Sequence, residues 1–144
     1  MPDIDQSSIL VPFLGMILLT FLVWLYMYAR RLGYLISRGI DPQAVATPEK
    51  AARVIPENVN NASNNLKNLF ELPVLFYAVC LYLYVTQQAD AVHLACAWGF
   101  LLFRVVHSVI QCTANRVLPR FYAYATASVA LWIMVIRSAW EALT

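Results

Sequence analysis

Long apolar runs alternate with short polar connections along the chain, and this pattern predicts four helices that cross a membrane. A helix needs about 20 apolar residues to span a hydrocarbon core about 30 Å thick. The runs cover residues 9–29, 66–86, 91–113 and 119–140. The connection over residues 30–65 is the one long polar segment, and its prolines and asparagine-rich end favour turns and caps over regular structure.

The composition supports a membrane protein and excludes an ordinary soluble domain. Of 144 residues, 61% are hydrophobic and only 12% are charged, whereas soluble domains carry about 25% charged residues. The sequence therefore predicts an all-α integral membrane protein, a bundle of four transmembrane helices forming one domain over residues 1–144. Membrane lipids are expected partners and nucleic acid is not. The three cysteines lack the spacing of metal ligands, so we expect no metal site.

The positions of the cations predict how the helices are oriented. Of the ten lysines and arginines, eight flank or occupy the connections after the first and third runs. The positive-inside rule places those two connections in the cytoplasm, including residues 30–65, and both termini on the other side. The small size and minimal loops fit a bacterial inner membrane better than the endoplasmic reticulum.

A polar stripe interrupts the third apolar run. Arg104, His107 and Gln111 lie at positions i, i+3 and i+7, which places them within about 60° of one another around a helix. A charge in hydrocarbon costs several kcal/mol unless it is paired or hydrated. The stripe is therefore a candidate functional site, and its partner must come from another helix.

The start of the second run carries polar residues that suit this role. Asn64, Asn68 and Glu71 share one helical face, and Lys67 borders it. Glu71 and Arg104 lie at similar depths, so we expect an ion pair between them, which by itself would be a structural clip between two helices. One carboxylate does not balance the cations at this depth, and we therefore favour a bound anionic ligand over a purely structural cluster.

Two prolines are expected to shape the same region. Pro73 removes a backbone hydrogen bond within the second run and should kink that helix beside Asn68 and Glu71. Pro119 suits the first turn of the fourth helix. Arg120 would then lie beside free backbone N–H groups, where it adds to the positive field that an anion experiences.

The segments Asn68-Leu-Phe-Glu71-Leu-Pro73 and Arg104-Val-Val-His107-Ser, followed by Arg116 and Arg120, resemble the membrane-associated proteins in eicosanoid and glutathione metabolism (MAPEG). The likeness covers the second to fourth runs, the four-span layout and the basic end of the first run, and it extends to the prostaglandin E synthase and glutathione S-transferase branches. It implies a homotrimer with glutathione, the co-substrate, bound between subunits near the cytoplasmic side. A lipophilic small-molecule acceptor would enter from the bilayer.

The resemblance also assigns roles to individual residues. Arg120 matches the arginine that stabilises the glutathione thiolate and is the candidate catalytic residue. The candidate glutathione-binding residues are Arg30, Arg31, Asn64, Lys67, Asn68, Glu71, Arg104, His107, Gln111 and Arg116. Cationic side chains can bind the two carboxylates of glutathione, and Glu71 can accept from its ammonium group.

Two functions from different classes follow. The first is a membrane-bound glutathione-dependent transferase or peroxidase that acts on lipophilic electrophiles. The second is a non-catalytic membrane scaffold that binds glutathione or lipid. Gln111 stands where the synthases carry tyrosine, Asn64 where they carry arginine, and Lys67 keeps the charge of an arginine without its bidentate geometry. These departures favour binding over turnover.

Overall fold

Four long apolar helices dominate the computed structural model, which describes residues 5–143. Within that range, the segments long and apolar enough to cross a membrane are Gln6–Arg38, Glu57–Thr86, Ala91–Cys112 and Val117–Leu143. The prediction of four spans is therefore confirmed. The helices are α1 (Leu10–Arg38), α2 (Pro48–Val54), α3 (Glu57–Asn68), α4 (Leu72–Thr86), α5 (Ala91–Cys112) and α6 (Val117–Leu143), with short 3₁₀ helices at Gln6–Ile9 and Pro42–Val45.

The connection over residues 30–65 is largely helical, so the prediction of turns there was wrong. Helix α1 continues to Arg38, and α2 and α3 fill most of the remainder. Pro48 begins α2 and Pro56 immediately precedes α3, and these positions tolerate a residue without an N–H group. The asparagine-rich run is helical because one of its faces is buried. That face carries Val59, Asn61, Ala62 and Asn65.

The second span is interrupted rather than kinked. Helix α3 ends at Asn68 and α4 begins at Leu72, so the residues between them are not helical. Pro73 lies in the first turn of α4, where its ring causes no clash with a preceding helical turn. The sequence predicted a kink at the correct position, but the structure shows a complete break between two helices there. The interruption directs the carbonyl of Asn68 away from a continuous helix and toward α5, where Arg104 binds it.

Close helix packing holds the spans together. Helices α5 and α6 form the most extensive contact, and Ala123 and Ala127 lie buried on one face of α6. Small residues allow backbones to approach closely within a membrane. Helix α1 also lies close to α5 at Gly15. A Cβ atom at this position would lie only 2.6 Å from a methyl carbon of Leu101. Phe76 and Phe100 stack with ring centroids 4.4 Å apart at the centre of the bundle.

Asp90 joins the ends of α5 and α6. As the N-cap of α5 it accepts a hydrogen bond from the backbone N–H of His93 at 2.9 Å. Its other carboxylate oxygen accepts from Nε of Arg137 at 2.9 Å. Partial burial raises the pKa of the Asp90 carboxyl, but these hydrogen bonds and the nearby positive charge outweigh burial and hold the pKa below 3.8, its usual value.

Acidification is expected to weaken this connection. Because the folded-state pKa of Asp90 is lowered, its carboxylate stabilises the folded protein at neutral pH, and that contribution is lost as the pH falls through the folded-state value. Thermal unfolding in detergent should show Asp90→Asn below wild type at neutral pH, with the gap closing at an acidic pH below the lowered folded-state pKa. An equal gap at both pH values would contradict this role.

Candidate functional site

A buried polar cluster occupies the second half of α5. Arg104, His107 and Gln111 are only 0%, 3% and 4% exposed, and Ser108 between them is 2% exposed. The spacing that defined the stripe in the sequence thus turns these side chains toward the interior of the bundle and away from lipid. Each of them needs polar partners there, because an unsatisfied polar group in an apolar interior is costly.

Arg104 is the largest fully buried side chain and is only partly satisfied. Its Nη2 atom donates to the backbone carbonyl of Asn68 at 2.8 Å, and its guanidinium carbon lies 5.5 Å from the centroid of the Tyr124 ring. Among residues 5–143, its Nε and Nη1 atoms have no hydrogen-bond acceptor. A buried guanidinium with two unpaired donors favours an anion beside it, because charge-assisted hydrogen bonds are among the strongest in proteins.

The predicted ion pair between Glu71 and Arg104 is not formed, so this prediction was wrong. Among the described residues, no cation lies within 4.0 Å of the Glu71 carboxylate. Glu71 is exposed, and it lies in the interruption between α3 and α4 and not on a continuous helical face. The Asn68 carbonyl takes its place as the partner of Arg104.

His107 and Gln111 connect the cluster to α3 and α6. The Nδ1 atom of His107 lies 3.1 Å from the Arg120 carbonyl oxygen, and its Nε2 atom lies 2.9 Å from Oε1 of Gln111. The same Oε1 atom accepts from Nδ2 of Asn68 at 3.1 Å. Both ring nitrogens therefore face oxygen atoms. This arrangement suits an imidazolium, or a neutral ring with the Gln111 and Asn68 amides rotated.

Arg120 lies in the first turn of α6, as the sequence predicted, and its guanidinium donates to the side-chain oxygen of Asn115. Asn115 in turn donates to Asn61 of α3 at 3.1 Å. Arg116 lies one turn earlier and is exposed. Arg120 is only partly buried, so this network positions a cation that small molecules can still reach.

The buried asparagines of α3 were missed by the sequence reasoning, which singled out Asn64 instead. Asn65 is fully buried; it donates to the Cys112 sulfur at 3.4 Å and accepts from the Ser108 hydroxyl at 3.3 Å. Asn61 is 5% exposed. The signal was present in the sequence, because Asn61, Asn65 and Asn68 are spaced by four and three residues, which defines one helical face.

The remaining predicted binding residues are not gathered around Arg104. Arg30 donates to the backbone carbonyl of Asn58 at 3.4 Å and is exposed, and Asn64 is exposed as well. Arg31 and Lys67 line a different polar cavity of about 270 Å³, together with Thr47, Asn60 and Ser63. Within the chain, the candidate residues on the helices thus form a buried group around Arg104 and an outer group toward the ends of α1 and α3.

Asn65 provides a test of the buried network. Replacing it with alanine leaves the Ser108 hydroxyl without its acceptor, so we expect a loss of about 1–3 kcal/mol in unfolding free energy. Thermal unfolding in detergent measures this loss. The adjacent Asn64 is exposed, so Asn64→Ala is a matched control and should unfold like wild type. Equal unfolding temperatures for the two variants would show that the network does not stabilise the protein.

Comparison with known proteins identifies one family. The model of the MAPEG family matches residues 9–140, which include most of every span and all the candidate site residues. No curated protein and no solved structure matches the chain.

Proposed function

The chain belongs to the MAPEG family, and from this premise we propose that it is a membrane-bound glutathione-dependent transferase or peroxidase acting on lipophilic electrophiles. The observation that carries the proposal is the state of Arg104. Its side chain is fully buried, yet two of its nitrogens have no acceptor in the part of the chain that the structure describes. An anionic ligand would satisfy both, and the carboxylates of glutathione are suitable acceptors.

Charge around Arg104 supports an anionic ligand. Among the described residues, neither Arg104 nor Arg120 forms an ion pair with a carboxylate. His107 lies between them and contacts the Arg120 carbonyl. Glu71 is exposed and has no cation within 4.0 Å in the described chain, so it is available to accept hydrogen bonds from the ammonium group of glutathione.

Arg120 is the residue we propose for catalysis. A thiol with a pKa of about 8.5 is only a few per cent ionised at neutral pH. A guanidinium beside the sulfur stabilises the thiolate and so increases the fraction of reactive nucleophile. Arg120 suits this role because it is partly buried and its guanidinium is held by Asn115. The thiolate would then attack an electrophile that enters from the bilayer.

A homotrimer would bring the outer group of residues to the site. Arg30, Arg31, Asn64 and Lys67 do not contact Arg104 within one subunit, and we propose that they close a neighbouring subunit's site. This is consistent with Asn64 and Arg30 being exposed. Cross-linking in native membranes would test the assembly, and a chain that stays monomeric would contradict it.

The alternative is a non-catalytic scaffold that binds glutathione or lipid, and Gln111 favours it. Its side-chain oxygen contacts both His107 and Asn68. Gln111 therefore links two other side chains of the cluster, and it does so at the position where the resemblance implies a tyrosine. An amide used in this way is a binding and structural group, and because it does not ionise it cannot act as a general acid as a tyrosine hydroxyl can.

Thermal unfolding in detergent with and without glutathione tests binding. A ligand present at about 100 times its Kd stabilises the folded state by about 2.7 kcal/mol, so a clear rise in unfolding temperature is expected. A mixture of glutamate and glycine at the same concentration is the control. Equal unfolding temperatures with glutathione and with this mixture would contradict a glutathione site.

Conjugation to a chromogenic aryl halide separates the two functions. A transferase should consume the thiol faster than the buffer does. Stabilisation by glutathione without such consumption, and without reduction of a lipid hydroperoxide, would support the scaffold.

We propose that the polar connections after the first and third spans face the cytoplasm of a bacterial inner membrane. The clustering of lysine and arginine in these connections supports this orientation. Cysteines introduced between residues 39 and 47 should resist an impermeant maleimide in intact cells. Labelling of these cysteines from outside the cells would contradict this orientation and support the opposite one.

A further inference from the structure

A second buried polar group lies at the opposite end of α5. His93 is fully buried and precedes Arg104 by roughly 16 Å along the helix. Its Nδ1 atom lies 2.9 Å from Oδ1 of Asp90, and its Nε2 atom lies 3.3 Å from the hydroxyl of Ser138 on α6. The proposed glutathione chemistry uses none of these side chains.

We propose that Asp90, His93 and Ser138 form a separate nucleophilic site that accepts acyl groups from lipid esters. A serine hydroxyl is a weak nucleophile until a neighbouring base takes its proton. Carboxylate, imidazole and hydroxyl lie here in the order that activates serine in hydrolases on unrelated folds, and such sites are recognised by geometry and role.

The imidazole links the two other groups. With the proton on Nδ1, facing the Asp90 carboxylate, the lone pair of Nε2 faces Ser138. Oδ1 of Asp90 already accepts from the backbone N–H of His93, and no acceptor among the described residues is aligned for a hydrogen bond with Nδ1. Asp90 is therefore a positioning residue that acts mainly through its charge, which stabilises the imidazolium that forms when His93 takes a proton.

Ser138 must change its hydrogen bond before it reacts. Its hydroxyl donates to the Met134 carbonyl at 2.9 Å, while Nε2 of His93 lies 3.3 Å away. A rotation of the hydroxyl hydrogen is enough to redirect the proton to His93. Hydrogen bonds of this kind are often long before a substrate binds.

Ser138 lines an apolar groove of about 500 Å³ between α4 and α6. This volume is typical of a site for one small ligand or chain segment. Leu75, Val79, Trp132 and Val135 contribute to its lining. The lining has the chemistry of a site for a hydrocarbon chain.

The depth of the groove also fits a lipid ester. Asp90, Arg137 and Glu141 surround the same end and remain partly exposed. This end therefore lies at the boundary of the apolar core, where the ester bonds of lipids are found.

The reaction balances with an ester and water alone. Oγ of Ser138 forms a bond to the acyl carbonyl carbon while His93 takes the hydroxyl proton. The ester C–O bond then breaks, and His93 returns the proton to the departing alcohol. Water releases the acyl group as a carboxylic acid and regenerates the serine.

The position of Ser138 on α6 predicts slow turnover. Ser138 lies close to the C-terminal end of α6, a helix of 27 residues. The helix dipole places a partial negative charge at that end, which disfavours the oxyanion of the tetrahedral intermediate. The acyl-serine should therefore be easier to detect than the released product. An irreversible phosphonylating probe does not require turnover and is the better reagent.

An alkyl fluorophosphonate with a long hydrocarbon chain tests the site. The full-length protein in phosphatidylcholine vesicles should take up one probe, with loss of fluoride, and peptide mass mapping should place it on Ser138. Ser138→Ala should abolish labelling. Ser128 is the matched control, because it lies on the same helix and also donates to the carbonyl four residues earlier, at 2.8 Å. Ser128→Ala should be labelled by the probe to the same extent as wild type.

Two further variants test the imidazole and the carboxylate. His93→Gln should abolish labelling, and Asp90→Asn, which keeps an N-capping side chain, should slow it about tenfold or more. Asp90→Glu should restore part of the rate. The adduct mapped in wild type does not depend on any variant folding. An unlabelled wild type, an adduct on another residue, or unchanged labelling in His93→Gln would overturn the proposal.

Discussion

Replacing Arg104 with methionine is expected to abolish the stabilisation of the protein by glutathione while leaving the unliganded protein folded. The guanidinium is fully buried, and two of its nitrogens have no acceptor within the described chain. Methionine keeps an unbranched, apolar side chain in place of the arginine stem and removes this uncompensated charge, which costs free energy in the absence of a ligand. Each charge-assisted hydrogen bond contributes about 1.5–3 kcal/mol, so losing two should weaken glutathione binding by at least about 100-fold.

The unfolding temperatures of four samples decide this prediction: wild type and Arg104→Met, each with and without glutathione. If Arg104 were a structural clip, the unliganded variant would unfold well below wild type, because the Asn68 carbonyl loses its partner. Arg53 lies on the exposed side of α2, so Arg53→Met controls for the loss of a positive charge. Retained stabilisation by glutathione in Arg104→Met would contradict the role assigned to this side chain.

The spans and the polar stripe were predictable because hydrophobic periodicity encodes them directly. Arg104, His107 and Gln111 fall on one face of any regular helix, and an apolar environment then requires that face to turn inward. The family was predictable from the same residues and their order along the chain. In each case the relevant information is local, within a few helical turns.

The partners within the cluster were less predictable, because they depend on an interruption of the helix. The sequence pattern predicts Asn64, Asn68 and Glu71 on one continuous helical face. The interruption after Asn68 instead exposes Glu71 and turns a backbone carbonyl toward Arg104. Every residue has a backbone carbonyl, so the sequence does not indicate which carbonyl will accept a hydrogen bond from Arg104. The asparagine-rich run was misread for a related reason, since its burial against α1 and α5 outweighs the weak helix propensity of asparagine.

Replacing Arg120 with alanine is expected to lower the rate of glutathione conjugation at pH 7 by about tenfold or more, because a thiol without a neighbouring cation is only a few per cent ionised there. The deficit should shrink as the pH rises past the ordinary thiol pKa of about 8.5, where glutathione ionises without help. Wild type and variant are compared through kcat/KM across this pH range, together with the ultraviolet absorbance of the thiolate in the bound complex.

The shape of the pH profile distinguishes a role for Arg120 at the sulfur from a role in binding. A binding residue would raise KM at every pH, whereas a residue that stabilises the thiolate shifts the profile to higher pH and leaves the plateau nearly unchanged. Arg120→Lys keeps the charge and should recover most of the rate at pH 7. Asn115→Ala removes the side chain that holds the guanidinium, so it should produce a smaller shift in the same direction. A uniform loss of rate across the pH range in Arg120→Ala would remove this residue from the chemical step.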